Sequence, residues 1–349
     1  MWERKLLDLS LRNSLLNFRV TKNAVQLLVN SLYDLEDALS SGEEFQIMQR
    51  PHDMTNTPRD DRMYEAEVGE SPWAAFIESE FKNHRIHTYL DETDLVKVIP
   101  GFYRNSRTAL EENGANMLYL ALGFLKWYET EISEKPRYAP LVLLPVDIIR
   151  KSAQKGYVFR LRDEEPQFNV TLLEKLRADY DLAVTEVDPL PVDGHGIDIK
   201  RVFRTVRWFI KDKARWDVEE LAFMGIFSFT NFVMWNDIRN RGDDLKRNKV
   251  VASLISGHMN WEATSEFPSP EEFDDNISPA SLAVPISADS SQMAAVYAAG
   301  KSQSFVLHGP PGTGKSQTIT NIIANALYHG KSVLFVAEKM AALEVVENV

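Results

Sequence analysis

Residues Gly309-Pro310-Pro311-Gly312-Thr313-Gly314-Lys315-Ser316 match the pattern G-x-x-x-x-G-K-[ST] in full. This pattern constrains the fold more than any other stretch, because its chemistry works only between a strand and a helix. Glycines at 312 and 314 let the backbone curl so that N–H groups from Gly312 to Ser316 face one point. A helix starting there adds its partial positive charge. The flanks agree. Residues 304–308 (Ser-Phe-Val-Leu-His) predict a buried strand entering the loop. Residues 317–328 predict a helix leaving it, with Ile319, Ile322, Ile323 and Ala326 on one side and Gly330 as its stop. Residues 332–337 (Ser-Val-Leu-Phe-Val-Ala) predict the next parallel strand, as a βαβ unit requires. In such a loop Lys315 supplies a point charge to the β/γ phosphates and the Ser316 hydroxyl is a Mg²⁺ ligand. The implied cofactors are ATP and Mg²⁺, held by residues 309–316 with Gln317 beside them. A plain glycine turn between strand and helix is the alternative.

Upstream, Ala288-Asp289-Ser290-Ser291-Gln292 carries an amide suited to an adenine edge, since it donates and accepts at once. On spacing alone Gln292 is an ordinary helix residue. Net charge over the 349 residues is −12, and residues 289–349 balance (Asp289, Glu338, Glu344 and Glu347 against Lys301, Lys315, Lys331 and Lys339), so the excess lies before them. A general cationic coat for nucleic acid is thereby excluded, and a local basic site is not. No apolar run approaches the ~18 residues of a membrane span, the start resembles no signal peptide, and cysteine is absent. Disulfides and thiolate zinc are excluded, and a cytoplasmic location is expected.

Periodicity predicts an amphipathic helix over residues 2–19 and helices over 31–39, closed by Gly42, and over 73–83 and 117–128. Residues 50–71 read as a long polar loop. Residues 140–149 read as a buried strand whose prolines mark an edge or bulge, paired with 157–161 through the turn at 151–156. Asn169 caps a helix over 171–180, and a basic amphipathic helix covers 197–211. Residues 250–300 contain no Lys or Arg but carry Glu262, Glu266, Glu271, Glu272, Asp274, Asp275 and Asp289, with Pro268, Pro270, Pro279 and Pro285. The expected organisation is an α+β domain over 1–249, an acidic linker over 250–284, and the first βαβ part of an α/β RecA-like P-loop domain over 285–349.

Lys200, Arg204, Arg207, Lys211 and Arg215 share one side of the basic helix, with Trp208 at the stripe's edge. The pattern suits single-stranded nucleic acid; a solvated or internally paired face is the alternative. Asp193-Gly-His195-Gly-Ile-Asp198 reads as a turn before it reads as a metal site. His84 and His87, one turn apart, read as solvated histidines. Asp163-Glu164-Glu165 with Lys175 lacks nuclease context, and Phe223, Phe227, Phe229, Phe232 and Trp235 read as core.

The order of Gln292, the phosphate loop and Val336-Ala-Glu-Lys-Met-Ala-Ala-Leu343 resembles the Q motif, motif I and motif Ia of superfamily 1 helicases, nearest to the RNA-surveillance type. The phrases Lys5-Leu-Leu-Asp-Leu-Ser-Leu-Arg-Asn-Ser-Leu-Leu-Asn-Phe-Arg19, Leu118-Tyr-Leu-Ala-Leu-Gly-Phe-Leu-Lys-Trp127 and Ala139-Pro-Leu-Val-Leu-Leu-Pro-Val146 resemble large bacterial helicases that open with a domain of unknown function. Many of those end in a nuclease-like domain related to very-short-patch-repair endonucleases. The resemblance implies that Gln292 reads adenine, that Lys315 and Ser316 hold phosphates and Mg²⁺, and that the segment after Val336, Lys339 included, touches DNA or RNA. The 349 residues contain no acidic motif II, later glutamine motif, arginine finger or second RecA-like domain. The expectation is therefore the N-terminal piece of a longer helicase or translocase, inactive as an ATPase alone. Its partners would be the remaining helicase core and a C-terminal nuclease-like domain. A nucleotide-dependent switch, or a binding module without translocation, is the rival reading.

Overall fold

The computed structural model describes residues 8–21, 23–52, 54, 73–113, 116–152, 156–227, 230–258, 273, 277–310 and 312–347. The chain divides into two compact units, Met1–Leu110 with Ala115–Asn236, and Glu111–Gly114 with Asp237–Val349.

The first unit is built on β1 (Ala24–Leu28), β2 (Phe45–Met48), β3 (Arg85–Thr88), β4 (Leu118–Trp127), β5 (Arg137–Ser152), β6 (Gly156–Leu161), β7 (Gln167–Phe168) and β8 (Asp217–Ile226). The strands hydrogen-bond in the order β4-β8-β1-β3-β2-β6-β5, and β4 also pairs with β5, so the sheet closes on itself like a barrel. β7 pairs with β5 at Val142 and Leu143, and β6 takes over at Val146. Pro145 stands at the break between them, where its carbonyl accepts from the Arg162 N–H and no donor is required of it. β2 and β3 are parallel and the other pairs antiparallel.

Helices α1 (Leu32–Ser40), α2 (Ala74–Lys82), α3 (Glu92–Asn113) as far as Leu110, α4 (Val170–Tyr180) and α5 (Ile199–Phe209) belong to the same unit. Leu32, Leu35 and Leu39 of α1, Ile99 and Phe102 of α3, Leu172 and Leu176 of α4, and Val202, Phe203 and Val206 of α5 join the strand residues in one core. Three helix starts follow from short polar caps. Ser31 accepts from Asp34 N, Asn169 from Leu172 N and Asp198 from Arg201 N.

Residues 117–128, read from sequence as a helix, are strand β4, buried on both faces. Leu118, Leu120, Leu122, Leu125 and Trp127 enter the main core, while Tyr119, Ala121 and Phe124 enter a second cluster with Leu15, Phe18, Phe223 and Phe227. The alternation slips by one at Gly123 (φ +72°), which places Leu118, Leu122 and Leu125 at a spacing that imitates a helix. A Cβ at Gly123 would lie 2.3 Å from the Phe203 ring, so α5 seats directly on that backbone.

Two further expectations are corrected. Residues 8–19 form turns and no helix, because short side chains compete for the backbone. Ser10 N donates to Asp8 Oδ1, Asn13 Nδ2 to Asp8 O, Leu15 N to Asn13 Oδ1 and Asn17 Nδ2 to Leu11 O. The segment is held by distant groups, with Trp127 Nε1 donating to Leu16 O (2.9 Å) and Asn169 Nδ2 to Leu15 O (2.6 Å). His84 and His87 share no solvated helix face. His84 is exposed in a turn beside Glu43, whereas His87 is buried in β3 between Gln49 O (2.6 Å) and Glu80 Oε2 (3.0 Å).

The second unit contains the helices α7 (Lys249–Ser256), α8 (Ser290–Gly300), α9 (Lys315–Tyr328) and α10 (Met340–Glu347); α6 (Thr230–Arg247) precedes them. α7, capped by Asn248 and ended by Gly257 (φ +72°), occupies the first residues of the expected linker. Residues 304–308 and 332–337, expected as parallel strands, have no ladder partner among the described residues. An extended run becomes a strand only when a neighbour takes its N–H and C=O groups. Val306 is 83% exposed, Leu334 88% and Val336 75%.

The N-terminal part of the first expected helix (residues 2–7), most of the polar loop, the turn at 153–155, most of the linker, Pro311 and Phe229 lie outside the described residues, as do the side chains of Phe232 and Trp235. Among the described residues no helix is long and apolar enough to cross a membrane.

Candidate functional site

The loop ahead of α9 is shaped by its glycines. Gly312 (φ +87°) and Gly314 (φ +75°) are left-handed, a conformation that side chains resist. At Gly314 a Cβ would also meet Gln292 Nε2 at 2.4 Å and Gln317 Oε1 at 3.0 Å. Thr313 folds back, its Oγ1 donating to Pro310 O at 2.8 Å. The Lys315 ammonium donates to Gly309 O and, at 3.1 Å, to Pro310 O. Gly314 is the N-cap of α9 and has no side chain to accept from the first-turn N–H groups. Those donors are left for another acceptor, and a helix N-terminus favours an anionic one. Ser316 is half-buried on that first turn.

Gln292 does more than an ordinary helix residue. As the third residue of α8 it completes a capping box. Its N–H donates to Asp289 Oδ1 (2.8 Å), and its Oε1 accepts from Asp289 N (3.1 Å). Its Nε2 reaches across to Thr313 O at 3.2 Å. Hydrogen bonds from Ser291 Oγ and Gln292 N hold the Asp289 carboxyl below the usual carboxylate range, so the cap stays anionic. Gln292 thus ties the start of α8 to the loop at its midpoint.

Behind the loop, α9 buries its polar side. Thr318, Asn321 and Asn325 are the buried residues of this helix, while the predicted apolar stripe (Ile319, Ile322, Ile323, Ala326) is half-exposed. Asn321 takes Ile286 N with its Oδ1 (3.1 Å) and gives its amide to Ile286 O (2.9 Å); Asn325 Oδ1 accepts from Ala283 N (3.0 Å). Tyr328 and His329 extend the row to the carbonyls of Ala280 and Ser281. The strap leading into α8 is therefore pinned along α9. Sequence reasoning missed Asn321 and Asn325; the signal was three polar residues at i, i+3 and i+7 within an apolar helix.

The basic stripe is reorganised by the fold. α5 ends at Phe209, so Lys211 and Arg215 lie beyond it. Arg207 is engaged by Glu220 Oε1 (3.0 Å), Val218 O (2.9 Å) and Asp217 (3.6 Å). Glu220 also accepts from Tyr33, whose hydroxyl is pushed up to about 12 by burial and by that bond. Lys200 lies over the Tyr33 ring, and Arg215 donates to Ser133 O and Glu131 O while stacking on Tyr128. Arg204 has no partner among the described residues, and Lys211 sits 4.9 Å from the centre of the Trp208 ring. Lys339 is exposed in the turn before α10.

The remaining candidates resolve into ordinary structure. Asp193 Oδ1 accepts from His195 N and Gly196 N, closing a turn, and Asp198 caps α5. Lys175 pairs with Asp179, and Glu164 with Arg162. Among the described residues no group of three or more His, Asp or Glu is placed to hold a metal ion.

Two family models match parts of the chain: a protein of unknown function (DUF4011) over residues 5–176, and an AAA domain over residues 287–347. The second spans α8, the loop, α9 and α10. An uncharacterized ATP-dependent helicase of Mycoplasma genitalium is 58% identical over 44 residues, which is 13% of this chain and 4% of that protein. Its homologue in Mycoplasma pneumoniae is 58% identical over 43 residues, 12% of this chain and 4% of the relative. The chain thus matches only a small fraction of the length of these relatives. No solved structure matches it. The similarity is helicase-like and of AAA type, and it is local.

Proposed function

We propose that the second unit binds ATP and Mg²⁺ through residues 309–316, and that the chain is the N-terminal part of a superfamily 1 helicase or translocase acting on DNA or RNA. The observation that carries this reading is the meeting of three groups at one loop: the uncapped first turn of α9, the Lys315 ammonium and the Gln292 amide. The first-turn N–H groups of α9 suit phosphate oxygens, and the left-handed glycines keep side chains out of the way. Lys315 would leave the carbonyls of Gly309 and Pro310 for the β/γ phosphates. Ser316 would supply one oxygen to Mg²⁺, the others coming from nucleotide and water. Gln292 is already at the loop, and a purine edge would take the place of Thr313 O as its partner. The hydrolysis step needs an acidic residue and a positioned water that these motifs do not provide, so this chain is expected to bind nucleotide without turning it over. In the longer protein, hydrolysis would drive movement along nucleic acid, and the open segments at 304–308 and 332–337 would lie within a RecA-like sheet.

The test is calorimetric titration of the chain with ATP and Mg²⁺. Removing the charged partner in Lys315→Ala should weaken binding by roughly 10- to 150-fold, since a hydrogen bond to a charged group contributes about 1.5–3 kcal/mol. Equal affinity in wild type and Lys315→Ala would overturn the assignment. In the complete gene product, ATPase stimulated by single-stranded DNA or RNA would identify a motor. Hydrolysis indifferent to both would favour a partner-binding switch.

A further inference from the structure

Three tryptophans among the described residues, Trp73, Trp127 and Trp216, are buried or half-buried, whereas Trp208 is 60% exposed. It stands on the outer side of α5, whose inner side, Val202, Phe203 and Val206, is committed to the core. Among the described residues its ring meets Phe209 edge-on at 4.9 Å and the Lys211 ammonium, and it does not enter the core clusters. Its surroundings are cationic despite the net charge of −12. Among the described residues Arg204, one turn before it, has no partner, Lys211 rests against its ring, and the Arg201 guanidinium meets Glu186 alone, at 3.5 Å. Of the stripe first read from sequence, Lys200, Arg207 and Arg215 are engaged by Tyr33, Glu220 and main-chain carbonyls, which leaves a smaller and better defined set.

We infer that Arg204, Trp208 and Lys211 form a contact for single-stranded nucleic acid, with one base stacked on the indole and the flanking phosphates taken by the two cations. Arg204 and Trp208 are separated by four residues of helix, a rise of about 6 Å, and a phosphate and its base are neighbours on that scale. The flat ring favours a nucleobase over an acidic polypeptide, because stacking tolerates every base while a carboxylate side chain gains nothing from the ring face. The contact deepens the helicase reading by naming where the first unit would meet the strand, yet it stands on residues remote in sequence from the nucleotide loop.

The experiment is fluorescence anisotropy of a labelled oligo(dT) and an oligo(U) with the whole chain over a salt series. Trp208→Ala should weaken binding about 5- to 150-fold, the range of one lost stack, and Trp208→Phe should restore most of it. Arg204→Glu with Lys211→Glu should lower the slope of log affinity against log salt by about 1.4, two single-strand phosphates. All three sites are exposed, so circular dichroism and urea midpoints should stay unchanged. Trp208→Ala must also keep its ATP affinity, and Lys315→Ala its oligonucleotide affinity, which separates a failure here from a failure of the nucleotide assignment. Unchanged oligonucleotide affinity in Trp208→Ala, no binding by the wild type, or equal displacement by poly-glutamate would overturn the proposal.

Discussion

The two units solve the problem of burial in opposite ways. In the first, apolar side chains from all round the closed sheet are enclosed: Leu118, Leu120 and Leu122 of β4 and Phe159 of β6 are fully buried. In the second, α9 buries Thr318, Asn321 and Asn325 while Leu334 and Val336 remain open. The first unit is ordered chiefly by area removed from water; in the second the buried apolar residues described are few, Ala295, Val296 and Ala298 of α8, and directed hydrogen bonds around the loop carry more of the order. The lesson is that a substitution must be weighed by which of these two forces holds its neighbourhood.

The sharpest contrast is between Trp127→Ala and Leu334→Ala. Trp127 is 1% exposed and bonded to Leu16 O, so its truncation should cost about 3–5 kcal/mol in urea unfolding. Leu334 is 88% exposed, and its truncation should stay within about 0.5 kcal/mol. Similar costs would dissolve the distinction. Next comes Asn321→Ala, which removes both partners of the Ile286 peptide groups; about 1–3 kcal/mol is expected. The measurement is hydrogen exchange, with faster exchange at Ile286 and unchanged protection in β4 and β5. Loss of protection in the sheet would show that the units are not independently ordered. The smallest effect concerns Glu36, a fully buried carboxylate whose Oε1 takes Ile197 N and Ser40 Oγ while its Oε2 has no partner among the described residues. Burial raises its pKa above the ordinary value. The folded chain therefore holds the proton at a pH where the unfolded chain has released it, and stability falls as pH rises through that window. Glu36→Gln should flatten this dependence of the urea midpoint; an unchanged slope would assign it elsewhere.

What the sequence disclosed was short-range. The helix near residues 31–39, the cap at Asn169, the glycine loop and the helix after it depend on residues within one or two turns, and they stand where expected, with Ser31 the cap of its helix where it was read as the first helical residue. The closed sheet was not legible, because β4 pairs with β8 at Leu118↔Ile226 and β1 with β3 at Leu27↔Thr88, contacts that periodicity does not encode. Gly123 disguised β4 as a helix by shifting its phase, and Asp8, Asn13 and Asn17 drew the first segment into turns despite its leucines. At the loop, the residue types were legible from the motif. The clasp by Asn321 and the reach of Gln292 to Thr313 O depend on tertiary placement and were not.

The anchoring of Leu15 and Leu16 sets an order on biosynthesis. Their carbonyls are satisfied by Asn169 and Trp127, 154 and 111 residues further on. At ribosomal rates of about 5–20 residues per second, Leu15 waits roughly 8–30 s for Asn169 to be made. The ring of strands closes later still, once β8 has emerged. Until then the carbonyls of Leu15 and Leu16 lack the partners that the folded chain gives them.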